Sequence, residues 1–262
     1  MAAVGERQIS YDARGLAEPN AEVPKVSEVD GAKAVFDASD LTTRQINLEL
    51  RSLLYEQGVT DVTVKNPGSK HSIGVGILTR CKITFEGSLG YFGCGLIDGP
   101  EIHITGRVGW SACENMMSGV VVIEGNAGSL TGAALRGGDL VVKGRVGARS
   151  GIDQKGGTII TLGSAGSMNG FMMQRGRQVI CGDVGPGLGD SMYDGIMYVG
   201  GKVKSLGIDC VEGEWTEADT EFIERKFRIY DLGSPPEFQK FVCGKKLYNY
   251  DNLEPSERKL VL

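Results

Sequence analysis

A short glycine motif returns every 19 residues between Gly68 and about Lys204, and no other feature constrains the chain so tightly. Its regular form is Gly-x-apolar-Gly: Gly87 to Gly90, Gly106 to Gly109, Gly125 to Gly128, Gly144 to Gly147, Gly163 to Gly166 and Gly182 to Gly185. No insertion interrupts the series, and looser copies sit one period out at Gly68 and Gly201. Such strictness means that one supersecondary unit is stacked on itself.

Counted from its first glycine, each repeat has an apolar third residue: Leu89, Val108, Ala127, Val146, Ala165 and Val184. Later in the repeat, pairs such as Ile102 and Ile104, Val121 and Ile123, Leu140 and Val142, and Met197 and Val199 are two residues apart, the spacing of one face of a strand. The fourteenth residue is Gly119, Gly138, Gly157, Gly176 or Gly195, with Pro100 the exception. Short strands between fixed glycines, with no room for a helix, predict a mainly β fold: a single-stranded parallel β-helix. Glycine suits its corners because it tolerates positive φ and lets backbones approach closely. About seven turns stacked ~4.8 Å apart make a prism roughly 30 Å tall.

The repeat zone, 66–204, leaves two flanks. Residues 1–39 read as an extended polar arm, and Leu41 to Gly58 as a helix capped by Thr42 or Asp40 with the apolar stripe Ile46, Leu50, Leu53 and Leu54. A strand, Val59 to Lys65, completes an N-terminal unit, 1–65, whose helix is expected to plug the open first turn. In 205–262, Thr216-x-x-Asp219 resembles a capping box ahead of Phe222, Ile223 and Phe227. A second helix is expected around Glu237 to Val242. These helices are expected to cap the far end, with docking of a neighbour as the alternative.

Chemistry is hard to find. The two histidines, His71 and His103, have no serine or cysteine nucleophile at a meaningful spacing. Six cysteines form no C-x-x-C pair, which argues against a metal site; Cys94 and Cys113 share a column and are expected to be reduced, buried thiols. Gly182-x-x-Gly185-x-Gly187-x-Gly189 lacks the Gly-Lys-Ser/Thr of a phosphate loop. A net charge of −5 argues against nucleic acid and anionic membranes. The lack of a long apolar run or leader-like start leads to the expectation of a cytoplasmic protein. The eleventh residues, Ile97, Met116, Leu135, Gln154, Met173 and Met192, form an inward column with one polar exception. In the outward twelfth column, Met117 and Tyr193 hint at a partner surface, together with Asn115 beside it.

Asn66-Pro67-Gly68, then His71-Ser72-Ile73-Gly74-Val75-Gly76, the 19-residue turns, Glu114-Asn115-Met116-Met117-Ser118-Gly119 and Gly189-Asp190-Ser191 resemble the GXGXG domain at the C-terminus of the glutamate synthase large subunit. More closely, they resemble its stand-alone form, the β-helical subunit of N-methylglutamate synthases. The resemblance covers about 41–204. It implies a scaffold with no catalytic, cofactor-binding or metal-binding residue of its own. An amidotransferase-like subunit and an FMN-barrel subunit with an iron–sulfur cluster would be the partners. A β-helical subunit of a formylmethanofuran dehydrogenase or formyltransferase/hydrolase complex is the alternative. Hexapeptide acyltransferases fit less well, since their turns have 18 residues and they use a catalytic histidine.

Overall fold

The computed structural model describes residues 32–244, so the parts of the expected arm and tail beyond these limits lie outside the described residues. Along the chain run β1 (Lys33–Asp37), α1 (Thr43–Arg51), β2 (Asp61–Lys65), β3 (Lys82–Glu86), β4 (Asp98–Ile104), β5 (Ser118–Ile123), β6 (Asp139–Val142) and β7 (Lys155–Thr161). Then come β8 (Arg175–Ile180), β9 (Val184–Leu188), β10 (Ile196–Val199), β11 (Val203–Leu206), β12 (Cys210–Glu212), α2 (Glu217–Ile229) and β13 (Gln239–Cys243).

The long sheet has the order β1-β2-β3-β4-β5-β6-β7-β8-β10-β13-β12, parallel from β1 through β10. This is a parallel β-solenoid. Nine parallel strands make it roughly 38 Å tall at ~4.8 Å per step, more than the seven turns that the glycine motif marks. The extra length lies at the N-terminus, where β1, in the segment expected to be an arm, pairs with β2. A second side is the column of bridges Leu89, Val108, Ala127, Val146, Ala165 and Val184. The apolar columns face a single continuous core from Ala38 to Phe241.

The third side contains no strand except where β9, paired in parallel with β11, runs into it at Gly187 and Leu188 of the last regular turn. Its sixth, eighth and tenth residues have left-handed φ in all six regular turns, as in Ser111, Cys113 and Asn115 at 56°, 58° and 53°. Their N–H groups bond alternately to the turns on either side: Ser111 to Ser129 O, Cys113 to Gly93 O and Asn115 to Ala133 O, at 2.8–2.9 Å. Each non-glycine residue held this way costs on the order of 1 kcal/mol, offset by satisfying the backbone between turns.

The two glycine rows of the motif serve close approach. Gly144 N donates to Gly125 O and Gly163 N to Gly144 O, and a Cβ on Gly144 would lie 2.6 Å from Gly125 O. The row at position fourteen is different: Gly138, at φ +79°, needs the left-handed region itself.

Helix α1 is capped by Thr42 in a capping box with Gln45, and a π-helical turn, Ser52–Glu56, carries it on toward Gly58. Asn47 clasps the first turn, donating to Ser72 O at 2.7 Å and accepting from Gly74 N at 2.9 Å. Buried Ile46 and Leu50 belong to the solenoid core, so α1 covers the N-terminal end.

The C-terminal flank differs from the sequence expectation in two ways. Residues around Glu237 to Val242 form no helix: β13 is a strand, antiparallel to β10, and β12 pairs with it in turn. Open ladder groups of β10 are satisfied by this hairpin, and β13 alternates, with Phe241 in the core and Lys240 facing α2. Helix α2 does not cap an end. Phe222, Ile223 and Phe227 pack on Val141, Ile160, Val179 and Tyr198, the outward residues of β6, β7, β8 and β10, so α2 lies across the flank of the sheet.

Candidate interaction surface

Residues that share a column in adjacent turns stack, and an exposed aromatic column exists. His71, Tyr91 and Trp110 form a continuous ring stack, with centroids 4.6 Å and 5.5 Å apart and planes tilted by 16° and 22°. His71 Nδ1 accepts from Tyr91 N at 2.9 Å, which fixes the first ring. Tyr91 and Trp110 are nonetheless 49% and 55% exposed. Aromatic pairs of this offset kind contribute roughly 1 kcal/mol, so the rings reach solvent as a preorganised ridge. The later residues of the column, Ser129, Ala148, Ser167 and Pro186, are small.

Other exposed apolar side chains gather nearby in the chain: Leu78, Phe92, Leu96 and Met117. At the N-terminal end, Thr43 Oγ1 donates to His71 O at 3.1 Å, bringing the start of α1 to the end of the ring stack. Among the described residues, no large hydrophobic side chain is exposed between Met117 and Met172. Exposure resumes with Met172, Tyr193, Leu206, Ile208 and Val211. The solenoid thus carries two apolar surfaces at opposite ends, separated by turns whose outside is polar or covered by α2.

The residues singled out in the sequence fall as follows. Met117, 45% exposed, belongs to the N-terminal surface and Tyr193, 39% exposed, to the C-terminal one; four turns, about 19 Å of stacking, separate them. Asn115 is half-buried, and its left-handed backbone gives its identity a conformational reason, since Asn tolerates that region. The twelve motif glycines lie in two stacked rows along the prism, and the second row borders the ring stack: a Cβ on Gly109 would lie 2.5 Å from the Tyr91 ring and one on Gly128 2.5 Å from the Trp110 ring. Tyr91 and Trp110 were missed by sequence reasoning; a Tyr-to-Trp step of one period in an outward column was the available signal.

Polar groups elsewhere are paired into the frame. His103 Nε2 and Lys143 Nζ lie 2.8 Å and 2.9 Å from Glu124 Oε1 on the outside of the sheet. Burial raises the Glu124 carboxyl, but the bonds from Lys143 and His103 outweigh it and hold the group below its usual range. Gln154, the polar member of the inward column, is fully buried, donates to Gly156 O at 3.0 Å and accepts from Gln178 Nε2 at 3.2 Å. Cys94 and Cys113 are buried thiols; burial pushes Cys94 up to about 12, and burial together with Cys94 pushes Cys113 well above the usual range. Among the described residues, no three His, Cys, Asp or Glu side chains converge as a metal ion would require. No described helix is long and apolar enough to cross a membrane.

No family model matches the chain. A 66-residue segment is 39% identical to protein GlxC of Rhizobium meliloti (strain 1021), covering 24% of this chain and 29% of that protein; the chain therefore spans less than a third of this relative's length. By structure, a chain of the formyltransferase/hydrolase complex (FhcABCD) from Methylorubrum extorquens, solved with methylofuran, superimposes with a TM-score of 0.57 over 74% of this chain and 83% of that one, at 22% identity. This likeness is one of fold: the parallel β-solenoid is an architecture that this chain shares with a component of a multi-subunit assembly.

Proposed function

We propose that this chain is a non-catalytic β-helical scaffold subunit of a multi-subunit FMN and iron–sulfur enzyme of glutamate synthase type, most specifically an N-methylglutamate synthase. It holds an amidotransferase-like subunit and an FMN-barrel subunit together. The observation that carries the reading is the pair of apolar surfaces at opposite ends of one rigid column, which suits a part that contacts two neighbours at once. Partial likeness to GlxC supports the glutamate synthase type, as does the GXGXG pattern. Flavin and cluster then belong to the partners, and the site of action is cytoplasmic.

A second reading has its own observation. The fold neighbour from the formyltransferase/hydrolase complex matches over most of both chains, and a scaffold in an assembly of that kind uses the same two surfaces.

Affinity capture of the intact chain from its native cells tests both. Two larger subunits, one with flavin absorbance, are expected; a zinc- or tungsten-containing partner without flavin would replace the first reading with the second. Recovery of the chain alone, with turnover of glutamine or methylamine in the flavin-free protein, would overturn both.

A further inference from the structure

The terminal hairpin contains a feature that scaffolding does not use. Cys210 of β12 and Cys243 of β13 are direct cross-strand partners in an antiparallel pair. The flanking bond Gly244 N to Asp209 O, 2.8 Å, and Gly213 N to Lys240 O, 2.8 Å, show which type of pair it is. Residues 209/244 and 213/240 are hydrogen-bonded positions, so 210/243 is non-hydrogen-bonded, the position where Cα atoms approach to about 4.5 Å. That separation lies inside the range a disulfide spans. Directly opposed side chains share one face, and here both face the core. Both residues are thiols in this structure.

We propose that Cys210 and Cys243 form a disulfide site that staples the last hairpin across the end of the solenoid, with a glutathione-type disulfide as oxidant. Cys243, only partly buried, attacks the oxidant as thiolate, breaking its S–S bond and releasing one glutathione thiolate. Cys210 thiolate then attacks the Cys243 sulfur and displaces the second glutathione. Two protein thiols are oxidised and one small disulfide is reduced to two thiols, the two protons lost by the protein thiols being taken up by the two departing glutathione thiolates. Burial, with a smaller contribution from neighbouring Cys243, pushes the Cys210 thiol up to about 12. The second step is therefore slow at neutral pH and accelerates as pH rises toward that value. The bridge closes a loop of roughly 30 residues that contains α2, so it also ties down the helix on the flank.

The test uses the full chain incubated with oxidised glutathione at a series of pH values, followed by peptide mapping without reduction. A linked peptide pair joining Cys210 to Cys243 is expected, with Cys81, Cys94 and Cys113 still thiols. Its rate of formation should rise close to tenfold per pH unit around neutrality, and Tm should increase by roughly 5–10 °C, reversibly with dithiothreitol. Cys243→Ser should abolish both the bridge and the Tm gain; Cys210→Ser serves if that variant does not fold. The proposal is overturned if the two thiols stay free or stop at a glutathione adduct, both in the folded protein and after refolding in the same buffer. A bridge between other cysteines overturns it equally.

Discussion

Lys226 Nζ lies 2.5 Å from Asp139 Oδ2, an ion pair between residues 87 apart in the chain whose side chains are 9% and 4% exposed. Tyr230 donates to the same carboxylate oxygen. One end of α2 is thereby pinned to β6, as its other end is pinned by Asp219, which accepts from Tyr198 and Lys240 at 2.6 Å and 2.8 Å. Removing one partner from such a buried pair strands the other, at a cost of about 3 kcal/mol, whereas an apolar replacement of both is close to neutral. Lys226→Ala should therefore lower the urea midpoint clearly. Lys226→Met with Asp139→Leu should recover most of the loss, except what Tyr230 contributes.

Asp219 gives α2 a dependence on acid. Burial raises its carboxyl, but bonds from Lys240, Tyr198 and Thr216 together outweigh that and hold it below the ordinary 3.8. A carboxylate depressed in the folded state contributes stability that is fully present above its unfolded value and is lost as pH falls through the folded one. Stability followed by urea denaturation should decline from about pH 4 downward. Asp219→Asn should be less stable at neutral pH and show a shallower decline in that range.

Gly144→Ala should be among the more damaging single-methyl additions possible in the chain. The new Cβ would meet Gly125 O at 2.6 Å and Asn126 Oδ1 at 2.3 Å, in a row that the turns on both sides hold in place. A loss of about 2–3 kcal/mol is expected from such overpacking. Gly58→Ala has nothing within 4 Å and only its positive φ to oppose it, so about 1 kcal/mol should suffice there. Equal Tm values for the two variants would contradict the stacking account.

Trp110→Ala should leave the fold almost unchanged, because its ring is mostly in solvent, yet weaken capture of one partner by tenfold or more, as expected of an interface aromatic. Tyr193→Ala should weaken capture of the other partner. Measuring both partners against each variant checks that the surfaces are separate; parallel loss of both partners in either variant would contradict it.

The solenoid was legible because its period is encoded in glycines that tolerate no substitution without a backbone clash, as at Gly144. The inward columns were equally legible, including Gln154, whose polarity makes sense only beside Gln178, itself the amide in a column otherwise holding Ile102, Val121, Leu140, Ile159 and Met197. The left-handed third side could not be read off, since Phe92, Leu130 and Met168 give no local sign of positive φ. Placement of α2 was foreshadowed and overlooked: the outward column runs Thr84 and His103 in early turns, then Val122, Val141, Ile160, Val179 and Tyr198. Outward residues turn apolar where something covers them. The segment Gln239–Cys243 misled because five residues with apolar Phe241, Val242 and Cys243 at one end fit a short helix or a strand equally well, and only the unpaired edge of β10 decides between them. Of the interaction surface, Met117 and Tyr193 were seen one by one. The ring ridge was not, because stacking between turns is a property of the column and not of any local stretch.

Because every regular turn restores the same register, the gap between the two apolar surfaces is a whole number of rungs of about 4.8 Å. Such a column works as a graduated spacer: gaining or losing a 19-residue unit in its middle would shift one docked neighbour relative to the other by a single notch, leaving the chemistry of both contacts as it was.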